Sequence, residues 1–341
     1  MLHYKGYCVM LSNEEWMELD AYVVTEFDAE RLDALHYYPT QKEAAQALGI
    51  DVRTIERTLA KLRKRRDEAT NLPEKMDYPI LRDAVLPPDR PEHLWVPDTQ
   101  VRPGVPTDHI NALMNYICER KPDVIIWGGD HWDMPSLNSY EKPGSKYFHE
   151  KSLAQDIESG NIAMDIVSDA LRDEKVRSGY NPRFVFLEGN HEYRLQRLIQ
   201  EQPVRFDGLV DRDAFILPPG AEYHNFLEPV VIDGIMYSHY FVNPQSAVRG
   251  VLGGAIDNRL NKLKTSFTQG HQQTLLWGAQ DLPGGRRIIG LVAGSFYQHD
   301  EAYMGPQGNN HWRGVVYKNE VHNGEYDPMM VSLNYLLRKW R

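Results

Sequence analysis

GDHWDMPSL, at Gly129–Leu137, follows the apolar run DVIIWG at Asp123–Gly128. A short β-branched run closed by glycine reads as a buried strand. Its end then gathers Asp130, His131 and Asp133 into one turn. Two readings compete: a turn that caps a strand, and a turn that presents metal ligands. The choice between them rests on what the other strand ends carry.

Four further stretches have the same character. They are PDTQ at Pro97–Gln100, EGNHEYR at Glu188–Arg194, YSHYF at Tyr237–Phe241 and QGHQQT at Gln269–Thr274. Each follows an apolar run or a glycine. The runs RFVFLEGN, VIDGIMYSHY and RIIGLVAGS read as strands, and DHINALMNYICERK and NIAMDIVSDALRDEKVR as amphipathic helices. Alternation of this kind predicts an α/β domain with polar residues collected at strand ends, where open sheets bind ligands.

The 341 residues are 42% hydrophobic and 25% charged, enough for a large domain and a small one. No apolar run approaches the ~18 residues of a membrane span. The start lacks a basic segment followed by an apolar core, so no signal peptide is expected. Cys8 and Cys118 lie far apart and form no Cys-x-x-Cys, which argues against a disulfide framework or a thiolate metal site and fits a reducing cytoplasm. The net charge of -10 is uneven: Gln41–Arg66 carries eight Lys and Arg against Glu43, Asp51 and Glu56. An acidic body argues against non-specific coating of nucleic acid. The basic island is the exception.

That island, TQKEAAQALGIDVRTIERTLAKLRKRR, reads as two helices and a tight turn. Thr40 and Glu43 fit a capping box, Gly49 a left-handed helix end, and Asp51 a second cap. Val52, Ile55, Leu59 and Leu62 repeat at helical spacing. The pattern resembles a helix-turn-helix module, whose second helix enters the major groove. Arg53, Arg57 and Lys61 would then contact nucleic acid; the other reading is a helical adaptor with a solvated basic face. Leu32 and Leu35 could supply a third helix. The expected organisation is a helical module over 1–66, a proline-rich linker over 67–91 and a catalytic domain over 92–341.

The order of the strand-end stretches resembles the calcineurin-like metallophosphoesterase family, whose pattern runs D-x-H, G-D-x-x-D, G-N-H-E/D, a lone H and G-H-x-H. The wording PDTQ, GDHWDMPS and GHQQ is similar to that of phage-encoded members. The resemblance implies a β-sandwich flanked by helices and two divalent metal ions, Mn²⁺ before Mg²⁺, Fe²⁺ or Zn²⁺. It implies Asp130 as the bridging ligand, with Asn190, His239 and His271 on one ion and Asp98, Gln100 and Gln273 on the other. It implies His191 as the catalytic histidine and Asp133 as the carboxylate that orients it. Such a centre suits phosphate-ester hydrolysis, because paired cations neutralise phosphate charge and lower the pKa of bound water.

Two positions depart from the family pattern: Gln100 and Gln273 stand where it has histidines. Both fall on the same ion. The replacement keeps ligand charge but turns nitrogen donors into carbonyl oxygens, which suits Mg²⁺ or Mn²⁺ better than Zn²⁺. The other reading is a weak or empty first site. His131 and Trp132 could touch substrate or pack the loop, and Arg194 could meet a phosphate or pair with Glu192 or Glu188. His299 and His311 lie on a polar loop over the site. The expected activity is hydrolysis of phosphodiester bonds in nucleic acid, in the cytoplasm, or the host cytoplasm if phage-encoded. The alternatives are a phosphatase or phosphodiesterase acting on a small metabolite, cyclic nucleotide or phosphoprotein, and a DNA-binding regulator with a ligand-sensing domain.

Overall fold

The computed structural model describes residues 11–70, 90–138, 152–243, 250–301 and 305–341. Most of the expected linker and Cys8 lie outside them. The chain separates into two compact units, Met1–Leu86 and Pro87–Arg341.

The first unit is helical: α1 (Asn13–Asp20), α2 (Glu26–Tyr37), α3 (Gln41–Leu48) and α4 (Val52–Thr70). The local signals act as chemistry requires. Thr40 accepts the Glu43 amide at 3.2 Å and its hydroxyl donates to Glu43 Oε2 at 3.0 Å, so Thr40 caps α3. Gly49 ends it at φ 67°, and Asp51 Oδ1 accepts the Arg53 amide at the start of α4. Leu32, Leu35, Ala44, Ala45, Ile55, Leu59 and Leu62 are buried in one core. Helix α4 continues to Thr70, past Arg66, where the sequence reading closed the module.

The second unit is mixed α/β with two mixed sheets. Its strands are β1 (His93–Val96), β2 (Val124–Trp127), β3 (Arg183–Leu187), β4 (Glu222–His224), β5 (Val230–Ile232), β6 (Ile235–Ser238), β7 (Ser266–Gln269), β8 (Leu275–Leu282), β9 (Arg286–Ala293), β10 (Gly314–His322) and β11 (Glu325–Ser332). Its helices are α5 (Asp108–Arg120), α6 (Leu153–Ser178), α7 (Tyr193–Glu201), α8 (Pro203–Phe206), α9 (Ile256–Leu263), α10 (Gly305–Gly308) and α11 (Leu333–Lys339).

One sheet runs β11-β10-β1-β2-β3-β4, with β1 to β4 parallel; the other runs β5-β6-β7-β9-β8, with β6, β7 and β9 parallel. Trp95, Ile126, Val185 and Val316 of the first share a core with Ile235, Tyr237, Ile289 and Leu291 of the second. The other face of the first sheet packs on α5, α6 and α11. Parallel strands put several C-terminal ends along one edge, and there the polar turns collect. VIDGIMYSHY, read as one strand, is a hairpin: Asp233 and Gly234 both take positive φ, as a two-residue turn requires. Among the described residues, no helix is long and apolar enough to cross a membrane.

A fully buried lysine lies in the inter-sheet core. Lys318 Nζ bonds the hydroxyls of Tyr237 and Thr268 and sits over the rings of Tyr237 and Tyr326 at 4.3 and 4.7 Å. Burial holds its pKa well below 10.5.

Candidate metal centre

The turns after β1 and β2 are tied together through their backbones. Gln100 N–H donates to Asp130 O, Val101 N–H to His131 O, and Asp133 N–H to Val101 O. Gly129 adopts φ 86°, and a Cβ there would lie 2.5 Å from Leu187 O. A Cβ on Gly189 would collide with Asp130. The two glycines therefore permit the contact between the GGD and GNHE turns.

Glu192 is the clasp. Its fully buried carboxylate accepts four amides: Asp130 at 2.9 Å and Gly189 at 3.0 Å on Oε2, His131 at 2.6 Å and Trp132 at 3.0 Å on Oε1. Burial and the neighbouring Asp130 raise its pKa to about 7, and the four backbone donors oppose that rise by favouring the ionised form. The sequence reading gave Glu192 no such part. The signal was available: an acid after Gly-Asn-His, facing a glycine-rich turn with free amides.

Asp130, His239 and His271 place ligand atoms within 4.8 Å of one another, a group that could hold a metal ion. Asp130 Oδ2 lies 3.4 Å from His239 Nε2, which also faces Asn190 Oδ1 at 3.0 Å. His239 Nδ1 contacts Gly128 O at 2.7 Å. A carbonyl only accepts, so Nδ1 carries a proton and Nε2 is left to bind. Burial opposes a charge on His239, but Asp130 and Asp98 push its pKa up to about 10. Burial pushes His271 down to about 4.

Asp98 uses Oδ1 to accept the His271 amide at 3.0 Å, while its buried Oδ2 has no hydrogen-bond partner. Burial, with Asp130 beside it, pushes Asp98 up to about 7. Gln100 Oε1 is likewise buried without a partner. The two buried oxygens without donors, on Asp98 and Gln100, together with the Asp130 carboxylate and an imidazole nitrogen facing acceptors, form a donor set that a cation would satisfy. Ten described non-glycine residues have positive φ, and three of them are Gln100, Asp130 and His271. Strained backbone thus falls on the expected ligands. Gln273 is half-buried in the turn after His271.

His191 stands beside the cluster. Its amide donates to Asp130 Oδ1 at 2.9 Å; its Nε2 lies 3.6 Å from Asp130 Oδ2 and its Nδ1 3.0 Å from Asp133 Oδ1. Burial opposes the charged ring, but Asp130 and Asp133 raise its pKa. Asp133 in turn meets Arg102 at 3.2 Å. Arg102 also reaches Glu301 at 3.4 Å, and Glu301 meets His299 Nε2 at 2.9 Å. Asp133, His299 and Glu301 form a second group of metal-type atoms, but the Arg102 guanidinium already bridges the two carboxylates.

Other expected residues fall as follows. His131 and Trp132 are fully buried and pack the loop: His131 bonds Thr99 and Gly160 O, and Trp132 bonds Ile157 O and Asn161. Among the described residues Arg194 pairs with no acid; it donates to the carbonyls of Asp133 and Met134. In the helical unit Arg53 and Arg57 are exposed. Lys61 turns its ammonium to the buried Asp28 at 2.8 Å, Arg63 binds Glu15, and Arg66 meets Glu18 and Asp67. Much of the basic island is therefore neutralised by acids within its own unit.

No protein-family model and no curated protein matches the chain.

Proposed function

We propose that the chain hydrolyses phosphate esters with the help of divalent cations, as a member of the calcineurin-like metallophosphoesterase group, and that phosphodiester bonds of nucleic acid are its substrate. The observation that carries this reading is His191, held between Asp133 and Asp130 beside a cluster of buried, donor-poor oxygens. Asn190, His239, His271 and Asp130 would hold one cation; Asp98, Gln100, Gln273 and Asp130 would hold a second, more weakly. Mn²⁺ suits both donor sets. Bound there, cations would neutralise phosphate charge and supply an acidified water.

The chain's own residues do the rest. Asp133 fixes the His191 ring through Nδ1, which turns Nε2 toward Asp130 and the site. A protonated Nε2 can give its proton to the departing alkoxide, a contribution of about 10²–10⁴ in rate. Asp98, by holding the His271 amide, keeps that imidazole turned to the cluster. The neutralised basic island favours a second reading, in which a small phosphorylated metabolite is the substrate and the helical unit serves another contact.

The test is a panel of bis-(p-nitrophenyl) phosphate, the mononitrophenyl ester, and labelled single- and double-stranded DNA and RNA, each with Mn²⁺, Mg²⁺ and Zn²⁺. Diester cleavage with Mn²⁺, lost in Asp130→Asn, is expected. No cleavage with any metal would overturn the reading. Cleavage of the monoester alone would move it to a phosphatase.

A further inference from the structure

One wall of the candidate centre is aromatic and partly open. Tyr193 at the start of α7, Phe226 after β4 and Tyr240 after β6 come from three separate segments. Tyr193 and Phe226 stack with centroids 4.9 Å apart at 27°. Phe226 meets Tyr240 edge-on at 5.5 Å. Tyr240 then lies 4.7 Å from the His271 ring and 5.8 Å from His239, and Phe226 lies 6.4 Å from His239. The series runs from the surface to the two imidazoles of the metal group.

The exposure of these rings sets them apart. Trp95, Trp127, Trp132, Phe186 and Tyr237, which support the same turns, are fully buried. Tyr193, Phe226 and Tyr240 are each half-buried. The wall is also held in place: Phe226 N–H donates to Glu188 Oε2 at 2.8 Å. The nearest guanidinium by sequence, on Arg194, is spent on the carbonyls of Asp133 and Met134. A phosphate ester seated at the cluster would therefore meet ring faces on this side. Ring faces recognise flat π-systems by stacking, with little preference for base identity.

We propose that Tyr193, Phe226 and Tyr240 form a stacking subsite for the planar base of a nucleotide whose phosphate lies at the metal group. The proposal rests on the phosphoesterase reading above and gives its substrate a chemical class. A nucleotide phosphodiester fits, and an aliphatic phosphate ester does not.

Two arms test it in the full-length protein with Mn²⁺. The first compares cleavage of a dithymidine phosphate with that of the same dinucleotide carrying an abasic tetrahydrofuran residue. A base preference of about tenfold or more in kcat/KM, expressed mainly in KM, is expected from one stacked base. Phe226→Leu should bring that ratio close to one with metal content retained. A wild-type ratio near one, or a ratio unchanged by Phe226→Leu, would overturn the subsite. The second arm needs no turnover: calorimetry compares thymidine 5′-monophosphate with deoxyribose 5-phosphate. Tighter binding of the nucleotide, lost in Phe226→Leu, supports the subsite even if no ester is cleaved, an outcome that would sink the hydrolytic reading alone. Equal binding of the two ligands would overturn the subsite even if cleavage occurs.

Discussion

Replacing Glu192 by glutamine changes almost no volume and one acceptor. The carboxylate receives two amides on each oxygen. Whichever way a glutamine amide is turned, its NH₂ faces two N–H donors. Two hydrogen bonds are lost and two buried amides are left unpaired, each at about 1–3 kcal/mol, or about 2–6 kcal/mol in all. Domains are stable by about 5–15 kcal/mol, so this is a large fraction. For a unit near this size, a loss of about 4 kcal/mol lowers Tm by about 8–16 °C. Six of the seven tryptophans lie in 87–341, so tryptophan fluorescence follows this unit's unfolding. Measured in chelator, a loss below about 1 kcal/mol would refute the clasp. The same variant should weaken Mn²⁺ binding by about 10–100-fold, because the Asp130 turn loses its anchor.

Arg102→Ala should retain metal but lower kcat about tenfold, and should add little in an Asp133→Asn background; full additivity in that double-mutant cycle would exclude action through Asp133. Lys318→Met should raise stability at neutral pH. Its folded pKa is depressed, so between that lowered value and the usual 10.5 unfolding takes up a proton and stability grows as pH rises through that window. The variant should flatten that rise in alkaline urea titrations, and an unchanged slope would refute neutral burial. Arg53→Ala with Arg57→Ala should flatten the salt dependence of duplex binding by about 2 log–log units if both grip phosphates. Lys61→Ala should instead lower the helical unit's Tm by uncovering Asp28, and a loss of duplex affinity at unchanged Tm would contradict that assignment.

Much of this was legible because period and punctuation act locally. Thr40, Gly49 and Asp51 cap their helices by their own chemistry, β2 announces itself by a β-branched run and β3 by an aromatic and aliphatic one. The turns that carry Asp98, Asp130, Asn190, His239 and His271 were readable because each ends such a run or a glycine turn. Two kinds of feature were not. The first is pairing across sequence distance: the Lys61–Asp28 and Arg102–Glu301 contacts follow from packing, which no window of sequence contains. The second is residue type in an unexpected setting. Glu192 and Lys318 look like surface residues, and only the fold shows one to be a buried clasp and the other a buried amine. The β10–β11 hairpin passed unread although Asn323-Gly324 marks its turn.

Asp98 and the His271 amide meet across 173 positions of chain. The cluster is therefore a non-local part of the molecule. Loop closure over such a span is slow and comes only after the parallel strands between its ends are paired. A chain emerging in N-to-C order carries Asp98, Asp130 and His191 long before β7 delivers His271. Until then Asp98 lacks the amide it holds in the finished fold, and a divalent cation has only part of the donor set to visit. Cation uptake should consequently lag behind the recovery of secondary structure during refolding. A cation that binds only the finished arrangement then draws the last equilibrium toward the native state.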